Sequence, residues 1–184
     1  MFLNTPYYIK DKVFPNSFCE NIITQGDKQK TKKADITDGD SNNRKSNIVW
    51  LKDKKLISKL TPIVNEANNK SNWNFLLREF EPLQYTVYNK GDYYDWHIDG
   101  HNKPYENGLV RKLSFTLFLN ENYDGGDFRI CETHPNPNKI TQQLFKPKKG
   151  TMIVFPSHKW HKVSKITKGT RKTLVGWIVG KPFV

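Results

Sequence analysis

From Asn74 onward the chain repeats short β-prone runs broken by Gly, Pro or Asn. The runs are FLLREFEPLQYTVY, RKLSFTLFLN, GDFRI, QQLFKP, TMIVFP, HKVSKI and KTLVGWIVG. Aromatic and β-branched residues suit a pleated, half-buried surface, and the breakers end each run. No helical period is interleaved, so the long crossovers that parallel strands need are missing. The pattern therefore predicts a sandwich or jelly roll rather than a parallel sheet.

The N-terminal third reads differently. YYIK is a short strand, and PNSFCENIITQG predicts a helix with Asn16 and Ser17 as candidate caps. Residues 28–47 carry almost nothing apolar, which suits a mobile polar loop, either plainly solvated or a lid over a groove. Residues 53–69 fit a helix capped by Asp53, with Leu56, Ile57, Leu60, Ile63, Val64 and Ala67 on one face. Pro62 is expected to kink that helix or end it early. The fold class is thus mainly β with N-terminal helices. A single domain over residues 1–184 is expected, with a helical segment (residues 1–73) packed on a jelly-roll core (residues 74–184). At 184 residues a sizeable core is affordable, and aromatics at 13% fill it from few positions.

The formal net charge is +12, which suits attraction to nucleic acid or acidic surfaces. Against nucleic acid, only five of the 30 basic residues are Arg, the side chain that clamps phosphates and reads bases. Nucleic-acid binding is therefore not the expected role. Cys19 and Cys131 stand far apart with no CxxC, which fits a reducing compartment rather than a disulfide framework. No stretch approaches a membrane span and no leader pattern opens the chain. The expectation is a soluble, cytoplasmic monomer.

The stretch DYYDWHIDGH, residues 92–101, holds the chemistry. On a strand, His97 and Asp99 would share a face ~7 Å apart, an imidazole and a carboxylate ready for a metal. Alone, H-x-D is weak: His97 could be a surface histidine and Asp99 a turn residue before Gly100. Downstream, His161 on a strand, a tight turn at Lys168 and Gly169, and a return strand would bring Arg171 near His161 but deeper. Two His and one Asp make a facial triad that leaves positions open on Fe(II). An Arg beside it supplies a fixed fork for a carboxylate. His101, His134 and His158 read as bystanders, and Arg111 and Arg129 as rim or strand-surface charges.

Several ordered motifs carry a family resemblance over Tyr85 to Gly180. They are YTVYNKGDYYDWHID, RKLSFTLFLNENYDGGDFRI and KKGTMIVFPSHKWHKVSKITKGTR. Together they resemble the Fe(II)/2-oxoglutarate-dependent oxygenases, and within them the prolyl 4-hydroxylase-like, PKHD-type group. The resemblance implies a double-stranded β-helix, the cupin-like jelly roll. It implies His97, Asp99 and His161 as Fe(II) ligands and Arg171 as partner of the distal carboxylate of 2-oxoglutarate. Tyr88 stands where a family tyrosine contacts the same cosubstrate. Trp177 falls where many prolyl hydroxylases also have Trp, either walling the cavity or packing as a core aromatic. Phe118 replaces a tyrosine that hydrogen-bonds 2-oxoglutarate in some relatives. Thr116 or Ser114, on the same face of that strand, is placed to substitute.

The implied reaction is a procollagen-proline 4-dioxygenase-like hydroxylation of a prolyl residue in a peptide or protein. It consumes O2 and 2-oxoglutarate, releases succinate and CO2, and can draw on ascorbate. The rival within the superfamily is a nucleic-acid dealkylase, which the charge suits. Those enzymes carry a second Arg six residues after the first, and here that place is Trp177. A non-catalytic jelly-roll binding module is the remaining alternative.

Overall fold

The computed structural model describes residues 5–34, 43–100, 103–131 and 142–182. Its first elements are β1 (Tyr8–Lys10), α1 (Asn16–Asp27), β2 (Lys32–Lys33), β3 (Arg44–Lys45), β4 (Asn47–Leu51) and α2 (Lys54–Lys70). Next come β5 (Leu77–Phe80), β6 (Leu83–Tyr88), β7 (Tyr93–His97), β8 (Val110–Phe118) and β9 (Tyr123–Gly125). The rest are β10 (Phe128–Cys131), β11 (Gln142–Phe145), β12 (Met152–Pro156), β13 (Trp160–Val163), β14 (Ile166–Gly169) and β15 (Arg171–Gly180).

These strands form the jelly-roll sandwich that the sequence pattern predicts. The large sheet runs β1-β12-β8-β15-β6-β4-β2, with β5 also on β15. The facing sheet runs β11-β10-β13-β7-β3, and β14 pairs with β9 alone. Every pairing is antiparallel, as short connections require.

Alternation along the large sheet makes two cores. One face of β8 gives Leu113, Phe115 and Leu117, and β15 adds Leu174 and Ile178. These pack with Leu56, Leu60, Ile63, Val64 and Ala67 of α2 and with Cys19 and Ile22 of α1. Each such side chain contributes roughly 1.5–3 kcal/mol when fully buried. The opposite face carries Phe118, Tyr88, Ile153 and Phe155 into a second core, against Phe128, Ile130, Phe145 and Val163 of the facing sheet. Helix α1 lies so close to β6 that a Cβ at Gly26 would sit 2.3 Å from the Tyr85 ring. Only glycine permits that approach.

Local chemistry explains the helix ends. The Asp53 carboxylate accepts from the amides of Lys55 and Leu56, as expected of a cap. Pro62 does not end α2, which continues to Lys70. Pro62 and Ser58, four residues before it, both lie on the exposed face, so water can satisfy the carbonyl that the ring leaves bare. Neither Asn16 nor Ser17 caps α1. The cap is Pro15, whose extended backbone starts the helix with no side-chain bond.

The first 73 residues also hold more strand than expected. β1 and β4 join the large sheet and β3 joins the facing one, because Ile48, Val49 and Leu51 find buried faces there. The expected loop at 28–47 therefore contains β2 and β3, while its residues 35–42, with His101 and His134, lie outside the described residues. Among the described residues no helix is long and apolar enough to cross a membrane.

Candidate metal centre and cosubstrate clamp

His97 ends β7 and His161 lies on β13, directly opposite in the ladder. Asp99 is not on the strand with His97, as the two-residue spacing suggested. The chain leaves the ladder there, because the amides of Asp99 and Gly100 both donate to the carbonyl of Ser157. The bend still turns the carboxylate toward both imidazoles. His97 Nε2 lies 3.8 Å from Asp99 Oδ1, and His161 Nε2 lies 3.4 Å from Asp99 Oδ2. One donor atom from each residue falls within 4.8 Å of the others. Two donors each ~2.1 Å from one metal ion and at right angles sit about 3 Å apart, so a small contraction closes the set.

The ring tautomers are fixed from behind. His97 Nδ1 lies 2.7 Å from the Asp95 carbonyl and His161 Nδ1 lies 3.0 Å from the Lys159 carbonyl. A carbonyl can only accept, so each Nδ1 carries a proton, and Nε2 is the ring nitrogen left facing inward to bind a metal. Burial, and then His161 beside it, hold the His97 pKa well below the usual imidazole range. Burial alone would raise the Asp99 pKa, but His161, His97, Arg111 and a Ser114 hydrogen bond outweigh it and hold it at about 2. A donor set of two imidazoles and one carboxylate suits a ferrous ion and leaves coordination positions open.

Arg171 reaches this region from the large sheet. The expected hairpin between the His161 strand and the Arg171 strand does not form. β13 pairs with β10 and β7, whereas β15 lies between β8 and β6. The intervening β14 binds β9, and Gly169, at φ +73° and so placed that a Cβ would sit 2.6 Å from the Asn122 carbonyl oxygen, turns the chain into the other sheet. Arg171 is only 1% exposed, and its Nε and Nη2 have no hydrogen-bond partner among the described residues. Tyr88, its direct neighbour on β6, holds its ring 5.2 Å from the guanidinium carbon, and the Phe118 ring is 5.0 Å away. A cation buried between aromatic rings with unused donors is built to receive a carboxylate.

The rest of this face is polar where the second core is apolar. Thr116 and Thr173 are buried on it, and Thr173 Oγ1 has no partner among the described residues. Ser114 is committed to Ser157 at 2.9 Å and to Asp99, which leaves Thr116 as the freer hydroxyl on that strand. Trp177 is inward-facing and 6% exposed, with its indole Nε1 buried and likewise unpartnered there.

A model of the 2OG-Fe(II) oxygenase superfamily matches residues 83–179. The chain belongs to that superfamily. The chain is 38% identical over 98 residues to a PKHD-type hydroxylase of Picosynechococcus sp., an alignment covering 52% of this chain and 41% of that protein. The chain therefore spans about two fifths of that relative's length. In fold it is similar to a prolyl-4-hydroxylase of Pseudomonas putida, with a TM-score of 0.71 at 20% identity over 96% of this chain and 94% of that one. It is also similar to a prolyl hydroxylase of Trichoplax adhaerens in complex with a hypoxia-inducible-factor peptide fragment, with a TM-score of 0.70 at 20% identity over 94% and 83%. The superfamily name carries Fe(II) and 2-oxoglutarate with it, and the donor set and the unpaired Arg171 fit both.

Several residues around the candidate site had no signal in the sequence. Arg111 is not a rim charge. It forms a two-pronged pair with Glu81 at 2.8 and 2.6 Å, reaches the Asp99 carbonyl at 3.3 Å and lies 4.1 Å over the Trp177 ring. Tyr94 stacks on His97, and Arg44 covers Tyr94. His158 is exposed in the turn before β13 and is not one of the clustered donors.

Proposed function

We propose that this chain is an Fe(II)- and 2-oxoglutarate-dependent dioxygenase that hydroxylates a prolyl residue in a peptide or protein. The observation that carries the reading is the pairing of one metal-competent cluster with one buried, unpartnered guanidinium on the facing sheet. His97, Asp99 and His161 hold the iron. Arg171 takes the distal carboxylate of 2-oxoglutarate, with the Thr173 and Thr116 hydroxyls and Tyr88 along the same wall. Trp177 walls the side open to substrate, where its indole N–H is free to donate to a carbonyl. Bound there, the iron supplies the activation of O2 that couples decarboxylation of the 2-oxo acid to hydroxylation of a C–H bond.

The protein's own contribution is orientation and exclusion of water. Arg171 fixes the cosubstrate at one end while the two Nδ1–carbonyl bonds fix the imidazole planes at the other. The second core, with Phe118 against Arg171 and Phe128 and Phe155 against His161, keeps bulk water from the inner side of both groups. The balance is one 2-oxoglutarate, one O2 and one C–H bond giving succinate, CO2 and one C–OH. A solved relative of similar fold that holds a peptide fragment supports a peptide substrate here.

The test is succinate release with Fe(II), 2-oxoglutarate and a proline-containing peptide library, with and without ascorbate, and mass spectrometry for one added oxygen. The expected result is succinate in step with hydroxylated peptide. Turnover of methylated single-stranded DNA or RNA, with no peptide modified, would favour the dealkylase reading that the +12 charge suits. No succinate with any substrate would remove the enzyme reading.

A further inference from the structure

We propose that Arg44 is a positioning residue for the metal centre, acting through Tyr94 to set the plane of the His97 imidazole. This rests on the metal-centre reading above and assigns a role to a segment that none of the site motifs includes.

One hydrogen bond, from His97 Nδ1 to the Asp95 carbonyl, fixes a single atom of the ring. Rotation of the imidazole needs a second constraint. Tyr94 supplies it: the two rings are 3.4 Å apart at the centroids and only 10° from parallel. His161 touches the His97 ring as well, at 4.0 Å and tilted by 55°, so the imidazole is held between two rings. Tyr94 in turn needs a backing. A ring stacked at 3.4 Å occupies its face, so the Arg44 guanidinium, 4.6 Å from the Tyr94 centroid, lies on the other.

Arg44 is itself pinned. Its Nη2 donates to Gln84 Oε1 and its Nε to Ser46 Oγ, both at 2.8 Å. Gln84 is buried on β6 of the large sheet, whereas Arg44, Tyr94 and His97 belong to the facing sheet. The column Gln84–Arg44–Tyr94–His97 thus ties the metal ligand to the opposite wall. The ladder agrees: Arg44 pairs with Tyr94 in register, and the Asp95 amide donates to the Asn43 carbonyl. No carboxylate pairs with Arg44 in the ion pairs formed among the described residues. Its planar fork is used for stacking and for two neutral acceptors, a geometry that Lys cannot reproduce.

The experiment titrates Co(II), a redox-stable probe of the centre, into the full chain and follows its visible absorption. The variants are Arg44→Lys, Tyr94→Leu and Tyr94→Phe, and the melting temperature of each metal-free protein is measured alongside. Arg44→Lys and Tyr94→Leu are expected to weaken Co(II) binding about 10-fold or more, as loss of an orienting partner of a metal-ligating His does. Tyr94→Phe, which keeps the ring, is expected to restore binding to within about 3-fold. Unchanged Co(II) affinity and absorption in Arg44→Lys and Tyr94→Leu would overturn the inference and leave the metal centre standing. A parent protein that binds no Co(II) would overturn both. A loss of affinity that only tracks a fall in metal-free melting temperature, with Tyr94→Phe as weak as Tyr94→Leu, would make Arg44 a clip between sheets and overturn the positioning role.

Discussion

Replacing Arg171 by Met should make the ligand-free protein more stable while removing its response to 2-oxoglutarate. Arg171 is 1% exposed, two of its nitrogens lack partners, and no ion pair formed among the described residues includes it. Burying an uncompensated charge costs several kcal/mol, of which the two flanking rings return about 2 kcal/mol each. Met is flexible enough to fill much of the same space. The net gain expected is about 1–3 kcal/mol, or roughly 2–8 °C in melting temperature for a chain of this size. The cosubstrate side has the opposite sign. Two charge-assisted bonds to a carboxylate contribute about 3–6 kcal/mol together, so affinity should fall by ~100-fold or more. For the parent with Mn(II) as a redox-silent metal, 2-oxoglutarate at about 100 times its dissociation constant should add about 2.7 kcal/mol of stability. Differential scanning fluorimetry with and without 2-oxoglutarate reads both effects. The reasoning fails if Arg171→Met loses about 3 kcal/mol or more, since that is the signature of a broken buried pair. It also fails if 2-oxoglutarate still raises the variant's melting temperature.

Asp99→Ala should weaken Mn(II) binding, measured by calorimetry, by more than the ~10–100-fold that follows loss of an outer hydrogen-bond partner. Gly26→Ala should destabilise the fold by about 1–3 kcal/mol in urea unfolding, because its methyl would meet the Tyr85 ring at 2.3 Å. Glu66 gathers Lys10 at 2.6 Å, Lys70 at 2.7 Å and Tyr8 at 3.0 Å, and these three hold its pKa down from 4.5 to about 2. A depressed carboxylate pKa stabilises the fold above the ordinary value, and the effect is lost as pH falls through the folded one. Glu66→Gln should therefore be less stable than the parent at neutral pH, and the gap should close between about pH 4.5 and 2; a pH-independent gap would count against it.

The strands were legible because their signal is local: runs of Val, Ile, Phe, Tyr and Trp between breakers mark a pleated surface whatever it packs against. Asp53 was legible for the same reason, since a cap acts within its own turn. The convergence of His97, Asp99 and His161 was legible through ordered motifs, though the wiring from there to Arg171 was not. A Gly at the end of β14 signals a turn but not which sheet the chain enters next. Sheet membership depends on pairing with β6 and β8, and no short-range pattern encodes it. Arg111 and Arg44 were hidden for a related reason. Their partners, Glu81 and Gln84, are 30 and 40 residues distant. A single charged residue in a polar run looks the same in sequence whether it faces water or a metal ligand.

The candidate metal donors and the proposed carboxylate clamp stand on different sheets, and under the proposed function that divides control over the reaction. Changes along β7 and β13 alter which ion is held and how tightly. Changes along β15 and β6 alter which acid is admitted beside it. Because the two groups share no strand, substitutions in one should combine with substitutions in the other almost additively in folding free energy. A lineage descended from this scaffold could then exchange its oxidisable acid by drift at position 171 and its neighbours while the ion-holding half stays as it was.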